Sequence, residues 1–465
     1  LSLSFVVGVY VAQYSTSFSN GAWLGAVAFG IIVALQKKTK IAVVVMVAAG
    51  LCLGLWRGGN QLIAMQSLQQ FIGQEVQLWG KVKDDPTLDI DGDTKMRLTA
   101  LVYGDKELAG EVWVFVASKN EVKRSDNVLV EGEMSEGFGT IPAAMYRARL
   151  LEVQDGAAAD PGRQARDTLS KGIHVAISEP ESSLGAGFLL GEKSSLPEKL
   201  ENDLRLLGLT HIIVASGYNL TILVRFARRF FVRISRFTAL AVSSGLVLGF
   251  VQITGFSPSM SRASIIALLS LFAWYFGRKI HPLVLLPFSA AATVAINPSF
   301  AWGDIGWLLS FMAFVGVIIL GPLLQAYFWG DRKPNAIRQI TVETLSAQIC
   351  TLPIIIYVFG AYSPLSPLAN VLILPLIPVA MLLTAIASVG GILFVPIAWL
   401  FGFPAEWLLR YMTTVADRLA QVPYANAEVT ITSATVLAMY VGLIGIMVYL
   451  WRRTGYALRD SNIVE

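Results

Sequence analysis

The sequence predicts a polytopic α-helical membrane protein with a small all-β, OB-like extracytoplasmic domain, and three observations predict it. The hydrophobic fraction is 55% and the charged fraction only 15%, against roughly a quarter charged in a soluble domain, and the mean hydropathy is +0.60. Apolar runs of near-spanning length recur along the chain, with basic residues concentrated between alternate runs. Over residues 67–155 the pattern changes to short alternating stretches broken by Gly, Asp and Asn, the period of strands. So little charge cannot cover several water-soluble cores in 465 residues, which excludes an ordinary cytosolic enzyme, a disordered chain and a disulfide scaffold.

Residues 1–56 are expected to form N-terminal transmembrane helices, with apolar runs at 1–14, 22–35 and 41–56. Each is shorter than the roughly 20 residues of a full span, so flanking Ser, Gly and Trp must make up the length. Lys37, Lys38 and Lys40 place the second link in the cytoplasm by the positive-inside rule, and the third run then exits to the outside.

Residues 67–155 are read as a five-strand barrel outside the membrane. Val76, Leu78 and Val82 share one strand face; Met96, Leu98, Ala100 and Val102 a second; Val112, Val114 and Val116 a third; Val128 and Val130 a fourth; Leu150, with Leu151 or Val153, a fifth. Residues 157–204 are expected as amphipathic or linker helices, 205–453 as the main transmembrane domain and 454–465 as a cytoplasmic tail. Candidate spans in the main domain are 207–223, 239–254, 263–277, 283–296, 305–324, 341–359, 368–389, 392–411 and 434–451.

The basic clusters Arg225, Arg228, Arg229, Arg233 and Arg236; Arg278 and Lys279; Arg332, Lys333 and Arg338; and Arg452, Arg453 and Arg459 all fall on the cytoplasmic side if these spans alternate. Topology and interfacial snorkelling suffice for most of these arginines. Cys52 and Cys350 sit in apolar runs, where a thiol behaves as a small hydrophobe. His174, His211 and His281 lie far apart with no ligand spacing for zinc, so no metal and no cofactor is expected.

Polar residues inside apolar segments are candidate pathway residues, because a charge at the bilayer centre costs roughly 2.5–3.5 kcal/mol on the insertion scale and normally faces a bundle interior or a wet path. They are His211, Ser216, Asn219, Arg262, Asp304, Glu343, Gln348 and Asn370. The plainer alternative is helix joining by hydrogen bonds, favoured for Gln348, while for Arg262 and Asp304 the two readings balance. Ser216, Gly217 and Asn219 interrupt the apolar run 208–222 and predict a broken or re-entrant helix. Pro353, Pro364, Pro367, Pro375 and Pro378 likewise argue against a straight row of helices over 351–379.

The run GAGFLLGEKSSLPEKLENDLRLLGLTHIIVASGYNLTI, 185–222, resembles the signature of the ComEC family of competence proteins. Three more blocks agree in order: SPSMSRASIIALLSLFAWYFGR at 257–278, NPSFAWGDIGWLLSFMAFVGVII at 297–319 and LSAQICTLPIIIYVFGAYSPLSPLANVLILPL at 345–376. The resemblance implies a multi-pass channel of the bacterial cytoplasmic (inner) membrane that passes single-stranded DNA during natural transformation, with membrane lipids around it. It implies functional positions at Gly191, Glu192, His211, Ser216, Gly217, Arg262, Asp304, Gln348, Pro353 and Asn370. The family's Ser-Gly pair is commonly followed by Leu-His, where this chain has Tyr218 and Asn219, so no imidazole stands in that slot.

Longer members of the family end in a metallo-β-lactamase-like domain, whereas here a short basic tail follows Trp451 and no histidine follows His281. The strand-degrading nuclease is therefore expected as a separate protein, and no catalytic residue is assigned. No G-x-x-x-x-G-K-[ST] loop occurs, so motive force is expected from a separate cytoplasmic ATPase or helicase, or from the membrane potential and strand capture. An extracytoplasmic DNA receptor is the remaining expected partner, and the oligomeric state stays open.

Trp79, Tyr103, Trp113 and Phe115 are candidate stacking residues for bases in the barrel. Its ten Lys or Arg against sixteen Asp or Glu give a net charge of −6 that opposes phosphate binding, so a structural or gating role is favoured. Two other classes compete with the channel. A small-solute or lipid permease is the main alternative, and an intramembrane hydrolase with Ser216 as nucleophile and His211 as base ranks last, since five residues separate the pair and no acid orients the histidine.

Overall fold

The structure, a computed structural model, describes residues 1–14, 21–24, 27–28, 30–32, 40–88, 92–117, 122–156, 158, 160–192, 196–213, 217–278, 281–330, 335–423 and 427–456. Part of the expected span at 22–35 lies outside these residues, as do Lys37, Lys38, Lys279, Arg332, Lys333 and Arg459. The chain divides into two units, Leu1–Gln164 with Pro287–Trp307, and Ala165–Leu286 with Leu308–Glu465.

In the first unit the helix Lys40–Gln69 has 30 residues, about 45 Å at 1.5 Å per residue, well beyond the roughly 30 Å of hydrocarbon. Ser2–Ala12 packs along it. The contact is close because Gly50, Gly54 and Gly58 recur at four-residue spacing, and a Cβ on Gly54 would collide with the Phe5 carbonyl. Ser2–Ala12 itself has 11 residues, too short for the span expected at 1–14. The guanidinium of Arg57 donates to the carbonyls of Ala295 and Ile296 at 2.9 and 3.0 Å, capping the last turn of the helix Pro282–Ile296.

The surplus length of Lys40–Gln69 carries the chain directly into the barrel, where Leu68 is fully buried in the barrel core. Seven strands follow: β1 Glu75–Val82, β2 Thr87–Leu88, β3 Thr94–Tyr103, β4 Lys106–Leu108, β5 Val112–Val116, β6 Asn127–Glu136 and β7 Ala143–Gln154. The five long ones close in the order β1-β6-β7-β5-β3-β1, with β5 and β7 parallel and every other pair antiparallel, the strand order of an OB barrel. The short β2 and β4 pair only with β3.

Two expected strand faces differ from those found. Ala100 adopts φ +49° and the β1–β3 register slips there, so beyond Leu98 it is Leu101 that points inward while Ala100 is exposed. On β7 the inward residues are Ala143, Met145 and Ala148, with Leu150 partly buried against the same core as expected, while Leu151 and Val153 are exposed although Val153 still pairs with Val128 of β6. Below β6 the carboxylates Asp126 and Asp160 are paired with Arg163 and Arg124 at 2.5 and 3.1 Å, and the Ser125 hydroxyl donates to Asp160 at 2.7 Å. Both arginines are buried, so this joint is a sealed charge network.

The second unit is helical. Five of the six helices long and apolar enough to cross a membrane, among the described residues, run through it: Arg236–Thr254, Ile305–Trp329, Arg338–Phe359, Ser366–Leu393 and Ser433–Thr454, the sixth being Lys40–Gln69. Ile305–Trp329 contains a π-helical turn at Gly316–Leu320. The residues expected as amphipathic or linker helices include a thoroughly enclosed one: every residue of Glu181–Leu190 except Leu189 is buried. It is apolar nearly all round, so it packs against both Ile377–Leu393 and Ala398–Ala420 instead of lying on a surface. Glu181 stays buried there, its carboxylate facing the Arg410 guanidinium and the Thr413 hydroxyl at 3.6 and 3.5 Å. The helix Pro161–Ala176, strongly amphipathic, is tied to the same group by the Ser388 hydroxyl, which donates to the Leu169 carbonyl at 2.7 Å.

Candidate functional site

Two polar loci stand on either side of the interrupted run 208–222 in the second unit. The helix Pro258–Tyr275 starts cleanly because Ser257 accepts from the Met260 N–H at 3.2 Å and proline occupies its first turn. Arg262 is therefore held in its first turns. The guanidinium carbon lies 5.6 Å from the ring centre of Phe311 and 5.3 Å from that of Phe314. No carboxylate pairs with it among the described residues, and its Nε is buried without a hydrogen-bond partner. Two ring faces orient a guanidinium without neutralising it.

Gly217 opens the helix Gly217–Phe231 against this point. A Cβ there would lie 2.8 Å from the Ala263 Cβ and 3.6 Å from Arg262 Nη2, so only glycine lets the two helices approach this closely. The Ser310 hydroxyl donates to that of Ser259 at 3.4 Å and links the Phe311 helix to the same face. Asn219, two residues on, has no exposed surface and donates from Nδ2 to the Phe188 carbonyl at 3.0 Å. It braces the helix Gly217–Phe231 against Glu181–Leu190. That helix ends at Gly191, whose φ of +73° closes it in the left-handed conformation, and Glu192 then accepts from the Ser170 hydroxyl at 2.7 Å.

The second locus gathers around Ser366, which sequence reasoning missed because a lone serine before proline carries no signal of its own. Gln348 donates from Nε2 to its hydroxyl at 2.6 Å, and Asn370 Nδ2 lies 3.4 Å from the same oxygen. Gln348 Oε1 and Asn370 Oδ1 are both buried without a partner among the described residues. Gly208 packs against Ser366, a Cβ on it falling 3.1 Å from the hydroxyl, and the Gly208 carbonyl lies 2.9 Å from His211 Nδ1. Gln348 and Asn370 thus meet at one serine, whereas His211 contacts the Gly208 carbonyl beside it. Pro353 lies within the helix Ala336–Phe359 that carries Gln348. Ser216 lies outside the described residues.

Asp304 belongs to the first unit. Its Oδ1 accepts from the Trp307 N–H at 2.6 Å. With Arg97, Glu111 and Asn297 it lines a polar cavity of about 30 Å³, room for one water. Burial pushes the Asp304 carboxyl up, against the Trp307 and Gly306 N–H groups and the Arg97 charge, which pull it down.

On the barrel, Val112, Val114 and Val116 of β5 point inward, while Trp113 on the other face is half-buried and Phe115, expected as a stacking residue, is itself buried. Trp113 stacks on Phe138 at 5.7 Å and Phe115 on Tyr146 at 5.0 Å, with Lys95 Nζ 4.6 Å from the Trp113 ring centre. Trp79 and Tyr103 are not part of this cluster; Tyr103 is exposed and packs on Phe71 at 5.0 Å. Phe138 and Tyr146, exposed by 43% and 50%, complete a surface that β-strand alternation could not reveal, because one is in a loop and the other sits beside the positive-φ residue Arg147.

A family model described as Competence protein matches residues 188–454, a range that contains both loci. The chain is 28% identical to competence protein ComA of Neisseria gonorrhoeae over 367 residues, 74% of this chain and 48% of that protein. It is 26% identical to ComE operon protein 3 of Bacillus subtilis (strain 168) over 253 residues, 51% of this chain and 31% of that protein. The matches span about half or less of either relative's length. No solved structure matches the chain.

Proposed function

Because the chain belongs to the competence protein family, we propose that it acts in DNA uptake as a channel, passing single strands across the bacterial cytoplasmic membrane in natural transformation. The observation that carries this reading is Arg262, a guanidinium in the helix bundle with two aromatic faces and no anion beside it among the described residues. Holding a cation away from water without a counter-charge is expensive, and a passing phosphate would relieve that expense. Conduction also requires binding weak enough to let go, which a single arginine supplies and a cluster would not. The buried carbonyls of Gln348 and Asn370 offer acceptors to water or to base N–H groups along the same route.

The same reading puts the barrel on the extracytoplasmic side. Lys37, Lys38 and Lys40 before its leading apolar run and the arginines from Arg225 onward support that placement by the positive-inside rule. Its aromatic cluster offers bases a stacking surface worth roughly 1–3 kcal/mol each, against the opposing charge of −6. Motive force and reception of DNA are assigned to other components: a cytoplasmic ATPase or helicase and an extracytoplasmic receptor.

The test is uptake of labelled single strands into proteoliposomes containing the full chain, alongside transformation in cells. Arg262→Ala should abolish uptake while leaving membrane insertion and surface binding of DNA intact. Normal transformation by a well-expressed Arg262→Ala chain would refute the assignment. Passage of a small solute with no passage of DNA would replace the channel with a permease.

A further inference from the structure

No Asp or Glu occurs between Asp203 and Asp304, yet Arg225, Arg228, Arg229, Arg233 and Arg236 crowd into one short stretch of that interval. The fold turns the stretch into a hairpin tip. The helix Gly217–Phe231 buries Leu220, Val224 and Ala227 and so turns Arg225, Phe226, Arg229 and Phe230 outward. A turn exposing Val232, Arg233 and Ile234 follows, and Ser235 then starts the next helix by accepting from the Thr238 N–H at 3.0 Å. Arg236 and Phe237, both exposed, open that helix.

Arg225, Arg229, Arg233 and Arg236 make no ion pair and no side-chain hydrogen bond among the described residues. Arg225 and Arg229 stand at i, i+4 on one helical face, a like-charge spacing that destabilises an isolated helix. Among these charges stand open apolar side chains: Phe226 is 57% exposed, Phe230 59%, Ile234 68% and Phe237 66%.

Water would solvate the arginines and leave four large apolar groups exposed. A nucleic acid backbone would neutralise the arginines and leave the same groups exposed. An anionic phospholipid surface satisfies both sets, with phosphates at the guanidinium groups and acyl chains around the phenylalanines and isoleucine. The hairpin runs without interruption into Arg236–Thr254, a helix long and apolar enough to cross a membrane, which sets the tip at a bilayer interface. We propose that residues 225–237 form a binding site for anionic phospholipid headgroups, anchored by Phe226, Phe230, Ile234 and Phe237. The site is independent of the DNA route, and its failure would leave the channel reading untouched.

The test uses the full chain in mixed micelles with phosphatidylglycerol or phosphatidylcholine, with retained lipid counted by native mass spectrometry and melting followed in parallel. The wild-type chain should retain phosphatidylglycerol in preference to phosphatidylcholine. Each of Arg225→Gln, Arg229→Gln, Arg233→Gln and Arg236→Gln should weaken retention about fivefold, and all four together about 600-fold. Lysine at the same four positions should keep it. If the four-site glutamine chain does not fold, the pair Arg229→Gln with Arg233→Gln carries the same test at about 25-fold.

Unchanged phosphatidylglycerol retention in a folded glutamine variant would overturn the proposal. So would an equal loss from Arg452→Gln with Arg453→Gln, since any basic helix end would then suffice. Loss of single-stranded oligonucleotide binding with lipid retention unaltered would also overturn it, and would give the tip to nucleic acid.

Discussion

Replacing Gly217 with alanine tests the contact on which the Arg262 locus rests. The added methyl would lie 2.8 Å from the Ala263 Cβ, about 1 Å inside the ordinary carbon–carbon contact distance. Ala263 cannot swing aside, because its Cβ is fixed to the backbone of Pro258–Tyr275. The helix must therefore shift, and it carries Arg262, whose Nη2 lies 3.6 Å from the same added methyl. Overpacking of this kind costs about 1–3 kcal/mol. Ala263→Gly removes the obstructing atom but places glycine inside a helix, itself a loss of about 1 kcal/mol. The expected signature is a cycle that is not additive: Gly217→Ala with Ala263→Gly should melt higher than Gly217→Ala alone, although each single change destabilises. Melting of the purified chain in detergent measures stability, and transformation frequency measures the displacement of Arg262. Wild-type melting for Gly217→Ala, or strictly additive losses in the double variant, would refute the packing argument.

Arg163→Ala should destabilise the first unit by about 3–5 kcal/mol, because it leaves the carboxylate of Asp126 buried without its partner; thermal proteolysis of the barrel reads the loss, and a change below about 1 kcal/mol would count against a sealed network. Burial alone would raise the Asp160 carboxyl, but the Ser125 hydroxyl, the Arg163 N–H and the Arg124 guanidinium outweigh it and hold the group below 3.8. Since the folded value is the depressed one, its stabilisation is complete above 3.8 and disappears as pH falls further, through the folded-state value; Asp160→Asn should flatten that acid limb of the melting curve, and superimposable limbs would reject the linkage. A cysteine in place of Glu107, exposed on β4, should react with a membrane-impermeant maleimide in intact cells, and protection until lysis would put the barrel on the other side.

The membrane class was legible in composition, and the barrel in the alternation of Val76 and Leu78, of Val112 to Val116, and of Val128 and Val130, since burial on one face repeats every second residue of a strand. Where the period broke, legibility ended. Ala100 and Leu101 differ little in apolar character, and only closure of β3 onto β1 required a bulge there. Residues 157–204 read as amphipathic or linker helices because their average is polar, which suits Pro161–Ala176 but hid the buried helix Glu181–Leu190 inside the average.

The sequence by itself determined which residues are costly in a membrane: Arg262, Asn219, Gln348 and Asn370 are conspicuous because their neighbours are apolar. Tertiary structure alone decided how each is accommodated. Arg262 rests on Phe311 and Phe314, Asn219 on the Phe188 carbonyl, Gln348 and Asn370 on Ser366, and Asp304 near Arg97 of a barrel strand some two hundred residues earlier. A polar group advertises its cost through its chain neighbours. Its partner is chosen by close packing of helices far apart in sequence, where a single absent Cβ at Gly217 sets how near two of them come.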